Sequence, residues 1–254
     1  LEDSYIDEFR ISNVARYTGN FDVATEAFTN DINTTLLLHC DGADDGTSFP
    51  DSASHPITAN GDVANTRAEK KVGDSSIVFD GNDYLSIPTS SDWNLWESGS
   101  VYTLEAWVKP ASTPSGTDYW SWFTQYEDDD NKWQCGYDDQ YGGVWWYLRS
   151  AGSTIVSYYG GTISDTDWHH VAWVKNGSSL KAYLDGTEVI DETDTDNDTL
   201  SGPLNIGAIK TGMSANAGGF DGYMDEIRIS DSERYTGNFT PSTTAFTTDA
   251  NTLL

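Results

Sequence analysis

Two stretches of this chain are copies of one another. Tyr5-Ile6-Asp7-Glu8-Phe9-Arg10-Ile11-Ser12, then Arg16-Tyr17-Thr18-Gly19-Asn20-Phe21, returns 218 positions later (223 − 5) as Tyr223-Met224-Asp225-Glu226-Ile227-Arg228-Ile229-Ser230, then Arg234-Tyr235-Thr236-Gly237-Asn238-Phe239. Residues 5 to 36 match 223 to 254 in one register without a gap, with 20 of 32 identical. Self-similarity at a fixed period marks an array. A period this long holds a whole domain, so the expectation is a string of similar domains and not a solenoid. On that reading residues 1–12 are the last strand of a preceding repeat and 13–34 a connector. One complete domain spans 35–235, and 236–254 form a connector and the start of the next repeat. The chain then reads as one period plus an overlap, cut from a longer tandem array.

Charge narrows the partners. Only 13 Lys and Arg face 41 Asp and Glu, a formal net charge of −28. Such a field repels phosphate, which argues against nucleic acid and anionic membrane surfaces, and it favours divalent cations. No apolar run approaches the ~18 residues of a membrane span, so membrane insertion is not expected. A piece of an array that shows no secretory signal reveals nothing about its destination. Of the two cysteines, Cys40 and Cys135, the sequence leaves open a single disulfide or two buried thiols.

The 10 Trp and 14 Tyr, with abundant Thr, Val, Ile, Gly and Asp, belong to an all-β chain with many turns. Short apolar stretches recur between turn signals, and none keeps a helical period for three turns. Strands are expected at 35–40, 76–79, 84–87, 102–108, 120–125, 133–137, 144–149, 155–159, 169–175, 180–184, 187–192, 204–209 and 223–229. Asp185-Gly186 is a two-residue hairpin signal, because a type I′ turn needs positive φ at both central residues. Asn176-Gly177 reads the same way.

The ordered motifs Ser76-Ile77-Val78-Phe79-Asp80-Gly81, Tyr84-Leu85, Tyr102-Thr103-Leu104-Glu105-Ala106-Trp107-Val108, Trp168-His169-His170-Val171-Ala172, Tyr183-Leu184-Asp185-Gly186, Ile206-Gly207 and Gly222-Tyr223-Met224-Asp225-Glu226-Ile227-Arg228-Ile229 resemble laminin-G-like domains of the concanavalin A-like lectin and glucanase superfamily. The resemblance covers almost all of 35–235. It implies a jelly-roll sandwich of two curved antiparallel sheets. It also implies a structural Ca2+ held by Asp225 of the last strand, Asp41 in Leu-His-Cys-Asp-Gly and the backbone near Gly81. The competing reading is that Asp41 and Asp225 satisfy turn amides and Arg228. Fold alone does not choose a function, since one scaffold hosts many.

Glucanases of the superfamily carry carboxylates at alternate positions of one strand, as a retaining double displacement requires. Asp7-Glu8 and Asp225-Glu226 are adjacent and face opposite ways, and Glu105 has no partner two residues on, so no catalysis is expected. His169 and His170 likewise diverge and do not share an ion. Asp194-x-Asp196-x-Asp198 lacks the Gly and the twelfth-position Glu of an EF-hand loop. It and Glu127–Asn131 read as solvated loops. Strand alternation sets Trp120, Trp122 and Tyr126 on one face and Phe123 on the other, and groups Trp145, Tyr147 and Arg149 against Trp146 and Leu148. With Phe123, Trp146 and Leu148 in the core, the concave face would display Trp120, Trp122, Tyr126, Trp145, Tyr147 and Arg149. Aromatic faces stack on the C–H surfaces of sugars, so this is a candidate glycan groove. The alternative is plain packing.

Three functions compete. One is a dedicated carbohydrate-binding adhesion module, repeated for avidity. Another is a structural bead of a filament, stalk or phage tail fibre, whose strand Tyr5–Ile11 adds head-to-tail to a neighbouring copy. The third, a glycoside hydrolase, lacks its carboxylate pair. The reading adopted is a non-catalytic repeat module of an extracellular, cell-surface or virion array, structural and adhesive. Asn33-Thr34-Thr35, Asn176-Gly177-Ser178, Asn197-Asp198-Thr199 and Asn238-Phe239-Thr240 match glycosylation sequons that arise by chance in such a composition.

Overall fold

A computed structural model describes residues 9–12, 34–38, 43–51, 55–72, 74–214, 217–243 and 251–252. Asp41, Cys40 and Tyr5–Glu8 of the expected site, disulfide and first strand lie outside the described residues. In chain order the strands are β1 (Phe9–Ser12), β2 (Thr34–Leu38), β3 (Thr58–Asn60), β4 (Ala64–Thr66), β5 (Ser76–Asp80), β6 (Tyr84–Ile87), β7 (Val101–Pro110) and β8 (Tyr119–Tyr126). They continue with β9 (Lys132–Asp138), β10 (Gly143–Ser150), β11 (Ser153–Gly160), β12 (His169–Asn176), β13 (Ser179–Leu184), β14 (Thr187–Thr193), β15 (Leu204–Ile206) and β16 (Asp221–Ser230). β1 and β2 pair with each other. The others form two antiparallel seven-stranded sheets, a front sheet ordered β11-β10-β9-β8-β15-β6-β3 and a back sheet ordered β14-β13-β12-β7-β16-β5-β4. The all-β antiparallel sandwich expected from the motifs is the fold observed.

Alternation along each strand builds one core between the sheets. The front sheet contributes Phe123, Trp133, Cys135, Tyr137, Trp146 and Leu148, and the back sheet Leu104, Ala106, Val171, Trp173, Ala182 and Met224, all essentially solvent-free. A buried indole needs a partner for its N–H, and two of them tie the sheets reciprocally. Trp146 of β10 donates to the Lys181 carbonyl of β13 at 3.0 Å, and Trp173 of β12 to the Trp145 carbonyl of β10 at 3.0 Å. Cys135 is buried in this core with a free thiol, and burial pushes its pKa up. Trp96 Nε1 donates to Asp194 Oδ2 at 2.8 Å. The loop around Asp194, Asp196 and Asp198 therefore anchors a core tryptophan, which corrects its reading as merely solvated.

Asp185 and Gly186 both have positive φ, 51° and 76°, and Leu184 pairs with Thr187, as a type I′ hairpin demands. The upstream hairpin is offset by one residue. Asn176 pairs with Ser179, so Gly177, at φ 58°, is the first of two turn residues.

The outer face of the back sheet is covered by residues 231–243. Tyr235 and Phe239 stack at 3.6 Å over Tyr183 and His170, the Phe239 amide donates to the Gly186 carbonyl at 2.9 Å, and Trp107 Nε1 donates to the Ser242 carbonyl at 3.1 Å. The segment read as a connector from 236 onward thus continues across the sheet. Beneath it Glu105, wholly buried, accepts from Arg228 Nε at 2.8 Å and from Tyr235 OH at 2.6 Å, and His170 Nε2 lies 3.3 Å away. Arg228 therefore serves Glu105, and the two histidines do diverge. His170 lies under the strap. His169 Nδ1 meets Asp185 Oδ2 at 2.8 Å and Nε2 meets Asp165 Oδ1 at 2.9 Å. Burial disfavours the His169 charge, but Asp185 and then Asp165 outweigh it and raise the pKa above the usual value.

Candidate glycan-recognition face

The strap of residues 231–243 lies on the back sheet, yet the middle of the front sheet's outer face is also buried, with Ser121 and Thr124 at 0%, Gln134 at 1% and Trp145 at 4% exposure. What that face displays is decided by a β-bulge. In β8, Ser121 pairs with Gly136 but Phe123 pairs with Cys135, so Trp122 is the extra residue. A Cβ on Gly136 would stand 2.0 Å from the Trp120 carbonyl oxygen, so the bulge requires glycine opposite it. Past the bulge the alternation is inverted. Trp120, Trp122 and Phe123 all point into the core, where Trp122 packs edge-on against Phe220 at 5.8 Å. Trp120 and Trp122 are therefore core residues and do not belong to the displayed face, a correction that strict alternation across β8 was unable to give. Tyr119, Ser121, Thr124 and Tyr126 face outward instead.

On β10, Trp145, Tyr147 and Arg149 alternate with the core residues Val144, Trp146 and Leu148, as expected. Tyr126 joins them on the same side of the sheet. Trp145 is the hub of an aromatic cluster, with ring centroids 5.2 Å from Tyr119, 4.9 Å from Tyr147 and 5.8 Å from Tyr159, the last stacked at 9°. Tyr141, 63% exposed, extends it from Tyr159 at 5.6 Å. Tyr119, Tyr159 and Tyr141 escaped the sequence reading. Tyr159 was reachable through its register opposite Trp145, and Tyr119 lies one residue before the expected strand start. Burial pushes the Tyr119 and Tyr159 phenols up, so both are neutral donors and acceptors near pH 7.

Polar groups run from this cluster toward β15 and β6. Gln134 Nε2 donates to Tyr119 OH at 2.7 Å and to Ser121 Oγ at 3.2 Å. At the far end a cavity of about 410 Å³ is lined by Thr58, Tyr84, Ser86, Tyr126, Asn205 and Lys210 among others. Lys210 donates to Tyr126 OH at 3.1 Å and to Asp129 at 2.5 Å. Arg149 Nη2 reaches Asp130 Oδ1 at 3.3 Å. On this face two polar atoms stay buried with no hydrogen-bond partner among the described residues, Trp145 Nε1 and Asn205 Oδ1, both in residues 4% exposed. Such atoms are costly unless something pairs with them.

Of the expected cation ligands, the two that are described, Asp225 and Gly81, lie apart. Asp225 Oδ2 accepts from the Lys71 and Val72 amides, each at 2.8 Å, and Oδ1 from the Glu226 amide at 2.8 Å. Burial raises its pKa despite those three donors. Gly81, by contrast, sits in the turn between β5 and β6, where ligand atoms of Asp62, Asp80 and Asp83 lie within 4.8 Å of one another. Asp221 is the register partner of Asp80, so Asp225 is about 13 Å further along β16.

Two antiparallel seven-stranded sheets enclosing one core define a concanavalin A-like jelly-roll domain. The laminin G-like sequence profile of the concanavalin A-like lectin and glucanase superfamily matches residues 79–236, more than half the chain, and the chain belongs to that family. No curated protein matches it. Among solved structures, domain 4 of AbnA, a GH43 extracellular arabinanase from Geobacillus stearothermophilus, is similar at TM-score 0.53 and 21% identity, covering 70% of this chain and 83% of that one. The binding domain of Paraclostridial Mosquitocidal Protein 1 is similar at TM-score 0.55 and 13% identity, covering 71% of this chain and 45% of that one. A botulinum neurotoxin type C structure, whose cell entry depends on two ganglioside molecules, is similar at TM-score 0.52 and 10% identity, covering 72% of this chain and 44% of that one.

Proposed function

We propose that this chain is a non-catalytic glycan-binding module of an extracellular, cell-surface or virion array, and that it binds neutral sugars on the front-sheet face. The observation that carries the reading is the aromatic cluster on this face, in which half-buried Tyr119, Tyr147 and Tyr159 surround the buried Trp145, on the same sheet face as the unpartnered Asn205 Oδ1 three strands away. Aromatic rings offer apolar faces to sugar C–H groups, and hydroxyls would supply the missing partners. A net charge of −28 disfavours acidic polysaccharides. Repetition would convert weak single sites into avidity. Arabinotriose, the sugar in the arabinanase-domain complex, is a natural first probe in a panel of neutral oligosaccharides.

Titration followed by tryptophan fluorescence should give saturable binding, and Tyr147→Ala should weaken it at least about tenfold, or about 1.4 kcal/mol. A panel in which no sugar binds at millimolar concentration leaves the structural-bead reading in its place.

A structural Ca2+ is a separate proposal. It is supported by the hard oxygen donors of Asp62, Asp80 and Asp83 beside Gly81; of the other expected ligands, Asp225 has its oxygens on three backbone amides and Asp41 lies outside the described residues. A ligand held only by the native state raises its stability. Thermal unfolding with calcium and then with excess chelator should show a lower midpoint in chelator, and Asp80→Asn should abolish the difference. Superimposable curves for the unaltered chain would remove the proposal.

A further inference from the structure

One line of polar side chains crosses the outer face of the front sheet at a single register. Tyr147 of β10 pairs with Gln134, Gln134 with Thr124, Thr124 with Asn205, Asn205 with Ser86 and Ser86 with Thr58 of β3. Each is flanked in its strand by residues of the core, such as Trp133 and Cys135 around Gln134 and Leu204 and Ile206 around Asn205. Alternation therefore turns the whole line away from the core. It runs from the aromatic cluster to the last strand of the sheet, five strand spacings or about 24 Å. In its middle Gln134 and Thr124 are buried, so a ligand meets the face at the two ends.

The far end is the cavity of about 410 Å³ to which Thr58, Ser86 and Asn205 contribute, a volume in the range of small-ligand sites. The segment after β15 forms one of its walls by gripping the same face. Asn205 Nδ2 donates to the Ile209 carbonyl at 2.8 Å, and Thr211 Oγ1 lies 2.6 Å from Tyr84 OH. Lys210, the cation of the cavity, is committed to Asp129 at 2.5 Å and to Tyr126 OH at 3.1 Å. Hydroxyl and amide groups are then left to recognise what enters. Asn205 Oδ1 has no partner among the described residues, and a hydroxyl is the kind of donor that such an acceptor lacks.

We propose that this cavity is a second sugar subsite, which takes one end of a neutral glycan chain whose other part lies on the aromatic cluster. The inference rests on the reading of the front face as a glycan site and adds the length of ligand that the face selects. A chain that spans about 24 Å engages both ends, whereas a short oligosaccharide engages one.

Calorimetric titration of the full chain with arabinotriose and arabinohexaose, beside the tri- and hexasaccharides of a β-glucan and a mannan, tests it. For the series that binds, the hexasaccharide should bind at least about tenfold tighter than the trisaccharide. Ser86→Leu, which fills the cavity, should erase that gain. Tyr84→Phe keeps the ring and removes only a hydroxyl, and it should reduce the gain about threefold. Equal affinity for both lengths, or a gain that survives both substitutions, would overturn the subsite and leave the aromatic cluster as the whole site. A panel with no saturable binding at either length would overturn the glycan reading together with it.

Discussion

Arg228→Met is expected to cost about 3–5 kcal/mol in urea unfolding, a large share of the stability of a domain this size. Glu105 is wholly buried and accepts both Arg228 Nε and Tyr235 OH. Burial alone would raise its pKa, yet His170, Arg228 and Tyr235 together hold it below the usual carboxylate range. Methionine keeps the volume of the arginine stem but strips Glu105 of its nearest cation and leaves only the longer pair with Arg234 Nε at 4.0 Å. The uncompensated charge is what destabilises, and not the loss of a favourable pair. The double variant Glu105→Leu with Arg228→Met should therefore be less destabilised than Arg228→Met alone. Tyr235 and Phe239 rest on the same spot, so the single variant should also loosen the strap. A loss under about 1 kcal/mol for the single variant would mean that Glu105 is neutral or hydrated in the native state.

The parts of the fold that were legible in sequence share one property, namely that local rules decide them. Asp185-Gly186 fixes its own turn, and β10 alternates, so Trp145, Tyr147 and Arg149 fall on the face away from the core as alternation predicts, although Trp145 is itself buried there. What escaped depends on contacts far apart in the chain. The short strands β3 and β4 have three residues each and no apolar signature. The part of the strap from 236 to 243 reads as a connector because Phe239, stacked on Tyr235, anchors its apolar contacts to the sheet. The acid triad at Gly81 draws Asp62 from a different turn, the one between β3 and β4, a juxtaposition that no local spacing encodes. The partners of Glu105, the lone carboxylate of its strand, are likewise remote in sequence, Arg228 and Tyr235.

The bulge in β8 gives the sharpest test of the binding face, because it sends two tryptophans in the opposite direction from simple alternation. Trp122 is fully buried, with Trp173 at 5.9 Å, Phe220 at 5.8 Å and Tyr137 at 6.3 Å around it. Trp122→Ala should leave a large cavity and lower stability by about 3–5 kcal/mol, while the fraction that remains folded keeps its sugar affinity. Trp122→Phe should cost less, since it retains much of the packing and removes an indole N–H that has no partner among the described residues. Tyr147→Ala should behave in the reverse way, with a stability change within about 1 kcal/mol and the loss of affinity described above, because its ring is half-buried on the outer surface. The two variants read opposite sides of one sheet. If Trp122→Ala instead abolished binding with stability unchanged, the bulge would be misplaced, Gly136 would have no reason to be glycine, and the displayed face would be the one that unbroken alternation draws.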